Sequence, residues 1–325
     1  MNAAFWRNTL FTTVILSILV VLTDFASASD KQAEGMALFK HAIELTDLRQ
    51  SGPYRLHWNL TVADEVLGKR EGTDVVTFAS MERWRRDLHM TGYDEVAVFL
   101  GHNMYRTRSI AFTPPSMRGD VAASLRNLPE MLSFKVLRVF NRKKDGVEER
   151  CVDLELPSKA EMMWCFDSQT GLPLLQQWPD FNRRIEFSNY KQIAGKFVPG
   201  VVEATAKGKQ VDKAVLEAID VPDSPQAFEP PPGANVRQWC DNMERPFPTK
   251  RLPVDIRPDM RSRKGLELKY ELTLDAQGKV TNVVPMDPQP YVDRQVIEAV
   301  RTWQLDPATC DGTPVPTDIL LDAGR

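Results

Sequence analysis

Histidine and cysteine are scarce in this chain, four of each among 325 residues, and neither forms a reactive cluster. Cys-x-x-Cys and His-Glu-x-x-His do not occur, so the spacing supports neither a structural zinc site nor a zinc hydrolase. Gly-x-Gly-x-x-Gly and the P-loop are missing as well, which removes the usual signatures of dinucleotide and nucleoside triphosphate binding. His57, His89 and His102 fall on strand-like runs. Asp87 shares a face with His89, but no Ser or Cys nucleophile signature accompanies them. No catalytic, cofactor or metal residue is assigned, and the expectation is a non-enzyme.

A basic excess is also lacking. The net charge of -3 argues against nucleic acid as the main partner. Long apolar runs are absent except at the amino terminus, where Leu10 to Leu22 follow the single charge of Arg7. That run is shorter than the roughly 20 residues that span a bilayer. Ala26-Ser27-Ala28 is a small-x-small cleavage pattern, so residues 1–28 read as a secretory signal and the product as periplasmic. An uncleaved inner-membrane anchor is the alternative. With 42% hydrophobic and 26% charged residues, the remainder is a folded protein with room for two domains.

What the chain has in quantity is alternation. Tyr54, Leu56, Trp58, Leu60 and Val62 alternate with Arg55, His57, Asn59 and Thr61, the period of a half-buried strand. Strand-like runs continue at 74–78, 83–90, 95–100, 103–108, 134–140, 148–156, 161–166, 172–178, 183–190, 197–204 and 215–219. Turn residues separate several of them, as at Asp145-Gly146 and Gly195-Lys196. Two helices are expected, one with Met36, Phe39 and Ile43 inward and ending before Gly52-Pro53, the other over residues 120–132. The fold class is α+β. Residues 30–221 form an antiparallel curved half-barrel with helices, and a Pro-rich linker at 222–236 leads to a small hairpin–helix–strand domain at 237–325. Its proline-rich part, residues 222–233, reaches at most about 40 Å at ~3.1 Å per residue.

In the first domain, Trp164-Cys-Phe-Asp167-Ser-Gln-Thr-Gly171-Leu-Pro173 precedes Tyr190-Lys-Gln-Ile-Ala-Gly195-Lys-Phe-Val-Pro199. This wording resembles the lipoprotein-sorting, or outer-membrane lipoprotein carrier, half-barrel. The resemblance implies a curved sheet closed on one side by helices, often around an apolar cavity for a lipid or similar ligand. Trp58, Trp84, Trp164 and Trp178 are candidates to line such a cavity, with core packing as the competing role.

In the second domain, Leu266, Leu268, Tyr270, Leu272 and Leu274 alternate with Glu267, Lys269, Glu271 and Thr273, which predicts a strand with one buried face. Asp275 to Gly278 supply a turn and residues 279–284 return. Val292, Val296, Val300 and Trp303 recur at helical spacing, and residues 315–321 close a third strand. Ala299-Val300-Arg301-Thr302-Trp303, Pro307-Ala308 and Gly312-Thr313-Pro314-Val315 resemble the carboxy-terminal domain of TonB-type energy transducers. That resemblance implies an exposed third strand to which an extended segment of an outer-membrane or other envelope protein adds. Pro314 and Pro316 remove two N–H donors, so the candidate edge is Thr317, Asp318, Ile319, Leu320 and Leu321. The Ser-x-x-x-His motif of the transducer anchor and its long Pro- and Lys-rich spacer are both missing here.

Cys151 and Cys165 fall on neighbouring strands joined by a turn at residues 157–159, so an odd-length turn would place them directly opposite. Cys240 and Cys310 both follow the linker and form the remaining pair. Disulfides suit an exported protein. Three functions remain: a periplasmic binding or adaptor protein, which is favoured, a TonB-type energy transducer for outer-membrane transport, and a hydrolase with an unrecognised site.

Overall fold

The computed structural model describes residues 30–49, 51–64, 66–118, 134–180, 182–222, 225–240, 243–244, 248–250 and 268–322. The signal segment and the helix expected over residues 120–132 lie outside the described residues. Among the described residues no helix is long and apolar enough to cross a membrane.

Alternation sets the strands, and turn residues end them. Helix α1 (residues 30–46) comes first. Five strands follow as a meander, β1 (Tyr54–Asp64), β2 (Gly68–Ser80), β3 (Arg83–Met90), β4 (Tyr93–Leu100) and β5 (Asn103–Arg108). After them come β6 (Lys135–Lys144), β7 (Val147–Glu155), β8 (Glu161–Asp167), β9 (Pro173–Trp178) and β10 (Arg183–Ser188). A small hairpin of β11 (Lys191–Ile193) and β12 (Lys196–Val198) precedes β13 (Val201–Ala206) and β14 (Lys209–Asp220). Strand β15 (Asn235–Gln238) leads to the short β16 (Met243–Glu244) and β17 (Pro248–Lys250). The chain ends with β18 (Lys269–Leu274), β19 (Val280–Pro285), helix α2 (Pro290–Val300), β20 (Gln304–Leu305), β21 (Ala308–Cys310), β22 (Thr313–Val315) and β23 (Thr317–Asp322). The run expected at 197–204 is two strands, because Pro199 and Gly200 interrupt it.

By its contacts the chain divides into two units, Met1–Leu48 with Ala122–Gln210 and Arg49–Val121 with Val211–Arg325. In the first unit β6 to β10 pair antiparallel in sequence order, and β13 pairs β10. Helix α1 covers one face of this sheet. Phe39 packs its ring 4.8 Å from Phe134, 5.2 Å from Phe166 and 6.0 Å from Trp164, and Trp164 stacks on Phe187 at 5.9 Å. The buried stripe of α1 is Gly35, Phe39, Ala42 and Thr46. Met36 and Ile43, expected inward, are only half-buried. The helix is rotated because glycine lets its backbone approach the sheet at Val136 and Val152.

Strand β6 is an edge, paired only with β7 among the described residues. Its start is covered by a side chain: Gln32 donates from Nε2 to the Phe134 carbonyl and accepts from the Val136 N–H at Oε1. The amide group thus imitates a neighbouring strand. The Asp167–Gly171 turn explains its own sequence. Asp167 Oδ1 accepts the N–H groups of Gln169 and Thr170, and Gly171 takes φ +76°, where a side chain would be strained and would collide with His41.

The second unit has an antiparallel sheet in the order β15-β5-β4-β3-β2-β1-β14. It also holds a smaller three-stranded sheet, β19-β18-β23, against whose one face α2 packs. Tyr270, Leu272, Leu274, Val292, Val296, Val300 and Trp303 form that core. The expectation that β18 has a single buried face is corrected, since Lys269 and Glu271 are also buried. The second face is covered by opposite charge, which apolar periodicity cannot reveal.

Candidate functional site

Strand β23 is one side of its sheet. Its residues pair with β18 from Lys269↔Asp322 to Leu274↔Thr317, and among the described residues no strand pairs with its other side. Ile319 and Leu321 turn toward the α2 core. Asp318 shares the opposite face with Leu320, which is 40% exposed. The opposite edge of the sheet, β19, ends in Pro285, which has no N–H to offer.

Asp318 is held where the two sheets of this unit meet. Arg106 of β5 donates to its Oδ2 at 2.9 Å, Arg237 of β15 to Oδ1 at 3.2 Å, and Thr273 Oγ1 to Oδ1 at 3.0 Å. Burial by itself would raise the Asp318 carboxyl. The hydrogen bond and charge of Arg237, with the charge of Arg106, outweigh it and hold the group below the usual value.

On the neighbouring strand β18, Glu271 is more deeply enclosed. Arg108 Nη1 lies 2.5 Å from Oε1, Arg118 Nη2 2.6 Å from Oε2, and the Thr113 N–H 3.1 Å from Oε2. Polar contacts continue inward from Thr113, whose Oγ1 is 3.3 Å from Glu95, a residue that also accepts the Tyr93 hydroxyl at 2.7 Å. Behind them Arg86 binds both oxygens of Asp74 at 3.0 Å and donates to the Met117 carbonyl. Residues 113–118 are fastened on a further side by Asp64, which accepts from the backbone and hydroxyl of Ser116. Buried charges of this kind persist only when paired and hydrogen-bonded.

The cysteines are joined as Cys151–Cys165 and Cys240–Cys310. Cys151 and Cys165 are directly opposed on β7 and β8, with Cα atoms 4.0 Å apart. They pack with Leu175, Phe140 and Met163 on the sheet face away from α1. Among the described residues, the two sets of side chains with metal-ligand spacing, Glu149-Cys151-Cys165 and Cys240-Cys310-Asp311, each include a disulfide. Their sulfurs are therefore not available as thiolate ligands.

The four candidate tryptophans divide between the two units. Trp58 and Trp84 belong to the second unit, Trp164 and Trp178 to the first. Trp58 and Trp164 are fully buried. Trp84 stacks on Phe99, and Trp178 lies under the Arg183 guanidinium. Met162 Sδ accepts from Trp164 Nε1 and Gln176 Nε2 inside the first unit.

A scan against family models finds no match, and comparison with curated proteins finds none either. Solved structures do align. A LolA superfamily protein from Nitrosomonas europaea is 11% identical with a TM-score of 0.42, over 59% of this chain and 96% of that one. A DUF1329 family protein from Desulfovibrio piger gives the same figures, 11% and 0.42 over 59% and 96%. The MucA/MucB complex from Pseudomonas aeruginosa aligns over 80% of this chain and 96% of that one, at 11% identity and a TM-score of 0.30. At these values the likeness identifies neither ligand nor partner. None of these three is a TonB-type domain, and that resemblance rests on the motif residues.

The histidines make surface contacts. His57 Nε2 is 2.8 Å from Asp220, and His89 Nδ1 is 3.0 Å from Asp94. Asp87, which shares a face with His89, is bonded to Arg85 instead. Sequence reading missed the arginines of β5 and β15 and the buried role of Glu271. The one signal for them is the density of Arg in Tyr105-Arg-Thr-Arg108, set against the acids of β18 and β23.

Proposed function

We propose that the protein is a non-enzymatic adaptor of the bacterial cell envelope that captures an extended segment of another envelope protein along β23. The observation that carries this reading is the state of the β19-β18-β23 sheet. One face is taken by α2 and the other by arginines, so the hydrogen-bonding capacity left over is at the edge. Strand addition uses that capacity: main-chain bonds give affinity and flanking side chains give selectivity. The TonB-type resemblance of residues 299–315 supports the same edge, and the signal-like residues 1–28 support export to the periplasm.

An apolar ligand in the antiparallel part, implied by the lipoprotein-sorting resemblance, has less support. Trp58 and Trp164 are used in core packing. Pull-down from envelope extract with wild type and with Leu320→Pro tests the edge, because the Leu320 N–H points away from β18 whereas that of Ile319 faces Leu272 within the sheet. Partners held by wild type are lost from the proline variant, whose melting curve and circular dichroism show that it remains folded. Equal capture by a folded Leu320→Pro protein overturns strand addition at β23.

A further inference from the structure

The charges beside β23 do not balance. Arg106 and Arg237 share the single carboxylate of Asp318, and Arg108 and Arg118 share that of Glu271. The acids behind Thr113, with Asp74 and Glu95 facing Arg86, offset the second excess. Nothing comparable stands behind the first among the described residues. The exposures are graded in the same sense. The Asp318 side chain is 8% exposed, whereas those of Arg106 and Arg237 are 24% and 29% exposed. The carboxylate is enclosed, and the two arginine side chains are partly exposed beside an open edge.

A strand added to β23 lies roughly 4.8 Å beyond it, with side chains on the same two faces. Its residue opposite Asp318 projects toward the two guanidiniums. Its residue two positions along projects beside Leu320. We infer that β23 selects an extended segment bearing an acidic side chain opposite Asp318 and an apolar one two positions away, the acid being recognised by Arg106 and Arg237. This rests on the strand-addition reading and adds the chemistry of the partner. A planar guanidinium accepts a second carboxylate with directed hydrogen bonds, which a surface lysine does not. Leu320 supplies an apolar contact of the kind that cross-strand pairs provide.

The test uses the full chain and three blocked fluorescent peptides of alternating Thr and Val that differ at one position, Glu, Gln or Lys. Anisotropy titration at low salt is expected to give a Kd about tenfold tighter for Glu than for Gln, and weakest for Lys. The Glu advantage shrinks in about 0.5 M NaCl, as a partly exposed charge contact must. Arg237→Gln removes the advantage. Asp318→Asn enlarges it, because the competing carboxylate is gone. Misfolding would lower all three affinities together, so the opposite signs of these two variants identify a charge effect. Equal Kd values for the Glu and Gln peptides, both lost in Leu320→Pro, overturn acidic selection and leave edge capture standing. A Glu preference unchanged in Arg106→Gln and Arg237→Gln also overturns the assignment. Failure of all three peptides to bind removes edge capture and this proposal together.

Discussion

Gly35 of α1 and Val136 of β6 meet so closely that a Cβ on the glycine would lie 2.6 Å from Val136 Cγ2. The same atom would lie 3.2 Å from Val136 Cγ1 and 3.3 Å from Val152 Cγ1. Two effects of Gly35→Ala therefore compete. Alanine in a helix interior gains about 1 kcal/mol over glycine. Overpacking against β-branched neighbours, whose rotamers are stiff, costs about 1–3 kcal/mol. The clash wins, and Gly35→Ala lowers stability by about 1 kcal/mol in urea denaturation. Adding Val136→Ala, which removes the obstructing methyls, makes the alanine at 35 favourable in that background. Additive effects of the two changes would show that helix and strand are not in contact here.

Glu271 makes the opposite kind of prediction, because its neighbours need it. Removing it leaves the Arg108 and Arg118 guanidiniums and the Thr113 N–H without their shared acceptor. Breaking a buried ion pair from one side typically costs about 3–5 kcal/mol. Arg118 is partly exposed, so Glu271→Ala is expected near the lower end, about 3 kcal/mol. Glu271→Gln retains shape and acceptor and costs less. A loss under about 0.5 kcal/mol for Glu271→Ala would place this carboxylate at the surface.

The strands were legible because half-buried strands write their period into the sequence. Arg83–Met90 and Asn103–Arg108 have the expected bounds, and the β18–β19 hairpin and α2 also follow from pattern, whereas the strand expected at 315–321 is divided at Pro316. Two things were not legible, for physical reasons. The α1 stripe is set by Gly35, whose lack of a side chain gives no hydrophobic signal yet decides which face comes closest. The enclosure of Glu271 and Asp318 comes from arginines far away in sequence, and a charged residue on a strand looks solvated until its partner is known. The candidate edge could be named from proline positions, but not the arginines beside it.

The two disulfides differ in exposure, and their reactivity follows. Cys151 and Cys165 are both 0% exposed. Cys240 is 7% exposed and Cys310 half-buried. Exchange needs access of a thiolate to a sulfur. Mild dithiothreitol is therefore expected to open Cys240–Cys310 first, read by differential alkylation and peptide mapping under native conditions. In the chain-entropy model the sequence separations of 14 and 70 residues correspond to about 3 and 4 kcal/mol. Paired Cys→Ala variants should fall by those amounts. Prior opening of Cys151–Cys165 would show that the first unit exposes its interior in the native state.

Asp318 gives the acid limb of stability a specific contributor. Its folded-state pKa is held below the ordinary carboxylate value of about 3.9 by Arg237 and Arg106, against the opposing effect of burial. A depressed pKa means that the unfolded chain binds the proton more tightly. The contribution is complete above the unfolded value and disappears as pH falls through the folded one. The stability difference between wild type and Asp318→Asn should thus be constant from pH 7 to about 5, then shrink toward zero at lower pH. Arg106→Gln, which removes one of the two cations, moves the midpoint of that loss upward. The measurement is urea denaturation at a series of pH values for the three proteins. If the wild-type and Asp318→Asn curves stay equally far apart down to about pH 2, the carboxylate is not the paired anion that the geometry shows.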